Sequence, residues 1–151
     1  MLRVIGLGNT LRGDDGVGPE VVRILQRDYA REFKDITDLG SDAISVFEKL
    51  LENIPILVID CARMGMPPGS VRRWSAGDVY SAPSVHGLSL HGFDLADVWR
   101  MAKAMGAESD LIIIGVQPEK LEFNTGLSRP VRKSLPAIIQ MVCEEAKKYE
   151  S

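Results

Sequence analysis

A chain of 151 residues is the size of one domain, residues 1–151, and leaves no room for a second. Its composition, 45% hydrophobic and 26% charged, excludes wholesale disorder. The 18 Lys+Arg against 21 Asp+Glu, a net charge of −3, argue against a nucleic-acid partner. Two cysteines, Cys61 and Cys143, cannot build a disulfide framework, so a reducing, cytoplasmic setting is expected. Arg3 interrupts the apolar start of the chain, and no apolar run approaches the ~20 residues of a membrane span, so neither an export signal nor a membrane partner is expected.

In chain order, Val4, Ile5 and Leu7 open with a short apolar run that reads as a buried strand. Val17, Val21, Ile24 and Leu25 follow at helical spacing, with Pro19 tolerated in the first turn. Residues 36–39 form a weaker strand candidate. Ile44, Phe47 and Leu51 form the apolar stripe of a second helix, capped by Ser41 or Asp42. Ile56, Leu57, Val58 and Ile59 make the next buried strand, and residues 70–74 another, at a sheet edge. Leu95, Val98, Trp99 and Ala102 repeat the helical pattern behind Asp94-x-x-Asp97, which resembles a capping box. Leu111, Ile112, Ile113 and Ile114 give the last strand. Val131, Leu135, Ile138, Val142 and Ala146 mark the last helix, which Pro136 is expected to bend or to start late. This alternation predicts an α/β three-layer sandwich, a mostly parallel twisted sheet of about five strands with helices on both faces. Ligands of such sheets sit beyond the carboxyl ends of the strands.

The first strand runs into Gly6-Leu7-Gly8-Asn9-Thr10-Leu11-Arg12-Gly13-Asp14-Asp15-Gly16-Val17-Gly18. The dinucleotide fingerprint fails at Leu11, where a third glycine belongs, and Asp14-Asp15 stand where a P-loop has Lys and Ser/Thr. Two carboxylates already occupy the helix start. A phosphate ~4 Å from one of them would be repelled by about 4 kcal/mol at an effective dielectric of roughly 20. The loop suits a cation or a proton. One of the two acids suffices as a helix cap, which leaves the other without a structural duty.

Asp60 closes the apolar run of residues 56–59, at the default ligand position of a parallel strand. It would meet the first loop if strands one and three are neighbours. The two histidines, His86 and His91, lie in a Ser/Gly/Pro-rich stretch, and their spacing does not choose between them. Carboxylates with imidazole suit a divalent first-row metal, and three protein ligands leave coordination positions open. Cys61 reads either as a nucleophile with a histidine base or, with more support, as a small buried hydrophobe. Cys143 reads as helix core. Arg63, Arg72 and Arg73 read as solvated surface, Met64 and Met66 as loop packing.

Together these motifs resemble the [NiFe]-hydrogenase maturation endopeptidases. The likeness rests on Gly6-Leu7-Gly8-Asn9 with Leu11 and Asp14-Asp15-Gly16-x-Gly18, on Leu57-Val58-Ile59-Asp60, and on Ser89-Leu90-His91-Gly92-x-x-Leu95-Ala96-Asp97-Val98. It continues through Gly115-Val116-Gln117-Pro118-Glu119 and Gly126-Leu127-Ser128 with Pro130-Val131, so it spans almost the whole chain in order. Asp38-Leu39-Gly40-Ser41-Asp42-Ala43 departs from the family's glycine- and threonine-rich turn. The resemblance implies a peptidase that removes the C-terminal extension of a hydrogenase large-subunit precursor. It places the family's nickel-contacting residues on Asp15, Asp60 and His91, with nickel delivered by the substrate and replaceable by other divalent metals. Asp15 and Asp60 are the implied catalytic acids, with Asp14 a secondary candidate and no unique base assigned; a monomer is expected. The alternatives are a related metal-dependent peptidase with another protein substrate, a non-catalytic nucleotide-binding module, and a chaperone that binds the precursor without cutting it.

Overall fold

The computed structural model describes residues 1–80 and 95–150. The strands form where the apolar runs are densest: β1 at Arg3–Gly6, β2 at Ile36–Asp38, β3 at Ile56–Cys61, β4 at Val71–Ser75 and β5 at Leu111–Val116. Among the described residues they make one sheet in the order β2-β1-β3-β5-β4. All pairs are parallel except β4 with β5, which is antiparallel at the edge. The predicted α/β sandwich is therefore present.

Helices cover both faces because β3 and β5 are apolar on both. Val58, Leu111 and Ile113 face one core with Val46 and Leu50 of α2 (Ile44–Leu50) and Leu95, Val98 and Ala102 of α4 (Leu95–Ala104). Leu57, Ile59, Ile112 and Ile114 face the other, with α1 (Val17–Asp28) and α5 (Arg129–Lys147). A short α3 at Ala76–Tyr80 follows β4. Glu145 of α5, buried, accepts from Arg73 Nε of β4 and from Lys148 Nζ, tying the edge strand to the last helix. Burial pulls its carboxyl up, but those two cations outweigh it and hold it below the ordinary glutamate value.

One expectation changes and two are narrowed. Ile44 is 53% exposed, and α2 buries Val46 and Leu50 instead, with Phe47 and Leu51 only packed alongside. A helix of seven residues has too few turns for spacing to select one stripe. Asp42, rather than Ser41, bonds the helix start, its Oδ1 accepting from Ser45 N at 3.2 Å. The last helix also starts on time, at Arg129, with Pro136 inside it. Pro136 and Arg132, whose carbonyl loses a donor to it, are both exposed, and the buried Val131, Leu135 and Ile138 hold the opposite face. The Asp94 cap lies outside the described residues.

β1 lies between β2 and β3, while α1 and α2 lie on opposite faces. The chain therefore leaves β1 towards one side and returns on the other, which opens a crevice between the carboxyl ends of β1 and β3. Helix α1 starts hard against it. A Cβ on Gly18 would stand 2.4 Å from Leu7 O and 2.5 Å from Ile59 O. Both obstacles are backbone, so Gly18→Ala is expected to cost about 3 kcal/mol, read as a lower urea midpoint. An unchanged midpoint would mean that the helix start is not fixed against the two strands.

Candidate active site at the carboxyl ends of β1 and β3

The loop after β1 is folded around Asp15. Asn9 N donates to Asp15 Oδ2 at 3.0 Å, Leu11 N to Asn9 Oδ1 at 2.9 Å, and Asp15 N to Arg12 O at 3.1 Å. Gly8 has φ +141, and a Cβ there would come within 1.9 Å of Asp15 O. Glycine is thus required for the loop to close on the acid. Asp14 and Asp15 both lie in the 3-10 turn Gly13–Gly16, and both are buried.

The two acids have different work. Asp14 is at 0% exposure and accepts four hydrogen bonds. Ser128 N donates to its Oδ1 at 2.6 Å, while Glu119 N, Lys120 N and Ser128 Oγ donate to Oδ2 at 2.7, 2.9 and 2.8 Å. It clamps the segment between β5 and α5 onto the Gly-rich loop and is not shaped as a spare carboxylate for chemistry. Ser128 and Gln117 were not singled out from the sequence as positioning residues. Gln117 Oε1 accepts from Met64 N at 2.6 Å and so anchors the turn after β3. Both stand in motifs that carry the family resemblance, which was the available signal.

Asp60 is 2% exposed on β3, opposite Gly115 of β5. The neighbour relation that convergence required is present: β1 pairs with β3 in parallel from Arg3↔Ile56 to Gly6↔Ile59, and Leu7 N extends the pairing to Ile59 O at 3.0 Å. The Gly-rich loop and Asp60 therefore leave adjacent strands at the same edge of the sheet. Cys61 senses the result. Its thiol is pushed far above the ordinary value, by burial first and then by Asp60, Asp15 and Asp14, against a small opposing pull from Arg12. A buried neutral thiol ringed by anions is the wrong species for a nucleophile. Iodoacetamide is expected to leave Cys61 unlabelled in the native protein and to modify it only after denaturation, with Cys61→Ala remaining active. Rapid native labelling of Cys61 with loss of activity would return it to the chemistry.

Cys143 is half-buried on α5 and packs against the margin of the core. Arg63 and Arg72 are exposed as expected, while Arg73 is paired with Glu145. Met64 packs against the core, and Met66 is 38% exposed. His86 and His91 lie outside the described residues. Among the described residues no three His, Cys, Asp or Glu side chains are grouped to hold a metal, and no helix is long and apolar enough to cross a membrane.

The fold is shared with solved hydrogenase maturation proteases. The chain superposes on the hydrogenase maturating endopeptidase HybD from E. coli with a TM-score of 0.82 at 24% identity, covering 97% of this chain and 92% of that one. A [NiFe] hydrogenase maturation protease HybD from Thermococcus kodakarensis gives 0.78 at 21% identity, covering 96% and 98%. In sequence, the family model HycI, hydrogenase maturation protease, matches residues 19–145. The hydrogenase expression/formation protein HoxM of Azotobacter vinelandii is 31% identical over 93% of this chain and 70% of its own length. HupD of Thiocapsa roseopersicina is 29% identical over 93% of this chain and 65% of its own. The chain belongs to the hydrogenase maturation protease family, a family of peptidases.

Proposed function

We propose that this protein is the endopeptidase that removes the C-terminal extension of a nickel-loaded [NiFe]-hydrogenase large-subunit precursor, acting as a cytoplasmic monomer. The observation that supports the reading most is that two carboxylates are buried, Asp15 in the loop after β1 and Asp60 on β3, and that these strands are parallel neighbours. Nickel enters as part of the substrate. Asp15, Asp60 and His91 supply two oxygens and one nitrogen, a set suited to a divalent first-row ion. Such an open site binds a bare ion modestly, and ligands on the precursor make up the affinity, so only a metal-loaded chain is held firmly.

Hydrolysis then requires a water to add to the scissile carbonyl, its proton to pass to a carboxylate, and the leaving amine to take up a proton. Asp15 is given the recognition role. Asp14 is already saturated by four donors, which leaves the proton-accepting duty to the Asp15 and Asp60 pair. The same carboxylates make phosphate unwelcome, so a nucleotide-binding role draws no support from the Gly-rich turn.

The test is intact-mass spectrometry of nickel-loaded precursor after incubation with the protein. The expected products are a shortened large subunit and a free C-terminal peptide. A stable complex with an uncut precursor would favour a metal-checking chaperone, and trimming of an unrelated protein alone would favour a peptidase of another pathway.

A further inference from the structure

Asp60 is closed in by apolar side chains, and one of them comes from the edge strand of the sheet. Along β3, Val58 and Ala62 belong to the α2/α4 core, while Leu57, Ile59 and Cys61 belong to the other. Alternation therefore turns Asp60 to the α2/α4 side, between Val58 and Ala62. Leu7, one position past the Gly6↔Ile59 pair, is level with it on the β1 side and wholly buried in the same core. On the β5 side its partner is Gly115, which has no side chain to offer. Trp74 of β4 fills that place. Its Cα pairs with Ile113, yet its ring reaches along β5. A Cβ on Gly115 would stand 2.7 Å from Trp74 Cη2, 2.9 Å from Cζ3 and 3.3 Å from Ala62 Cβ.

Tryptophan has a cost at this position. Trp74 is 7% exposed, and its Nε1 is buried with no hydrogen-bond partner among the described residues. A buried donor without an acceptor destabilises the fold. Phenylalanine would avoid that cost, but its ring ends short of where Cη2 stands. Length is thus what the indole supplies, and what that length reaches is the flank of Asp60.

We propose that Trp74 is a positioning residue for Asp60: laid over Gly115, its ring completes an apolar collar that keeps the carboxylate from swinging towards β5. This rests on the reading of Asp60 as a reacting acid of a precursor protease. A carboxylate that accepts a proton must be held at its partner, and a displacement of about 1 Å can cost ~100-fold in rate. Val58, Ala62 and Leu7 close the other sides, so shortening the Trp74 ring opens one direction alone.

The test measures kcat and KM of processing together with urea midpoints. Wild type is compared with Trp74→Phe, Gly115→Ala, the Trp74→Phe/Gly115→Ala double variant and Phe33→Leu. Phe33 is a buried aromatic of the opposite core, ahead of β2 and so at the amino ends of the strands, and serves as the control for lost packing. Trp74→Phe is expected to lower kcat about tenfold with KM within about twofold of wild type. In the double variant the new methyl fills the space the indole left, and kcat is expected to return to within about threefold of wild type. Gly115→Ala alone should lower the urea midpoint, because its methyl meets the ring. Phe33→Leu should lower the midpoint and leave kcat unchanged. Wild-type kcat in Trp74→Phe would overturn the positioning role while leaving the protease reading intact. So would a double variant no faster than Trp74→Phe, an equal loss of kcat in Phe33→Leu, or the failure of both Trp74 variants to fold, which would make the ring structural. A wild type that does not process the precursor overturns both.

Discussion

Asp14→Ala is expected to lower the stability of the folded chain by about 3 kcal/mol, the largest loss from any single side chain in the loop. The carboxylate is wholly buried and takes hydrogen bonds from three backbone N–H groups and one hydroxyl. Hydrogen bonds to a charged acceptor each contribute about 1.5–3 kcal/mol, and donors left behind lose their partner without gaining full access to water. The sum is not additive, because Glu119 and Lys120 are on the exposed side and can recover some hydration. Asp14→Asn keeps the shape but turns an amide N–H₂ towards at least one donor, so about half the loss is expected. The measurement is the urea midpoint with the slope checked for constancy. A loss below ~1 kcal/mol for Asp14→Ala would show that the 117–128 segment is held by something else.

Neutralising either of the other two acids is expected to do the reverse. Asp15→Asn and Asp60→Asn should each reduce processing by at least about 100-fold while the urea midpoint stays level or rises. Asparagine at 15 still offers an acceptor to Asn9 N, so the loop keeps its closure. Replacing a buried carboxylate by an amide removes the need to keep a charge away from water. The contrast between neighbours is the informative part. Substitution at 14 should destabilise the fold without touching the reacting groups directly, and substitution at 15 should silence a protein whose stability is kept.

The adjacent pair also shows where sequence reading stops. Asp14 and Asp15 are chemically identical on the page, and what separates them is a set of donors 105 to 114 residues further along. Pattern within the loop cannot reveal that. The strands were legible because β3 and β5 are buried on both faces and read as unbroken apolar runs, whereas edge strand β4, exposed at Arg72 and Arg73, gave a weaker signal at nearly the right place. The convergence of Asp60 on the first loop was legible only as a condition, that strands one and three be neighbours, and the strand order meets it. The buried stripe of α2 was misread because overlapping apolar sets fit so short a helix. Asp60 stood out because a carboxylate rarely closes a buried strand without a purpose, whereas only the family resemblance separated Asp15 from Asp14.

The most direct measurement of the central claim is the extent of precursor trimming with and without nickel, run in parallel for wild type, Asp15→Asn, Asp60→Asn and His91→Ala. Wild type is expected to trim the nickel-loaded precursor and leave the metal-free one intact, with all three variants inactive on both. Equal trimming of loaded and metal-free precursor, or full activity in the variants, would contradict it.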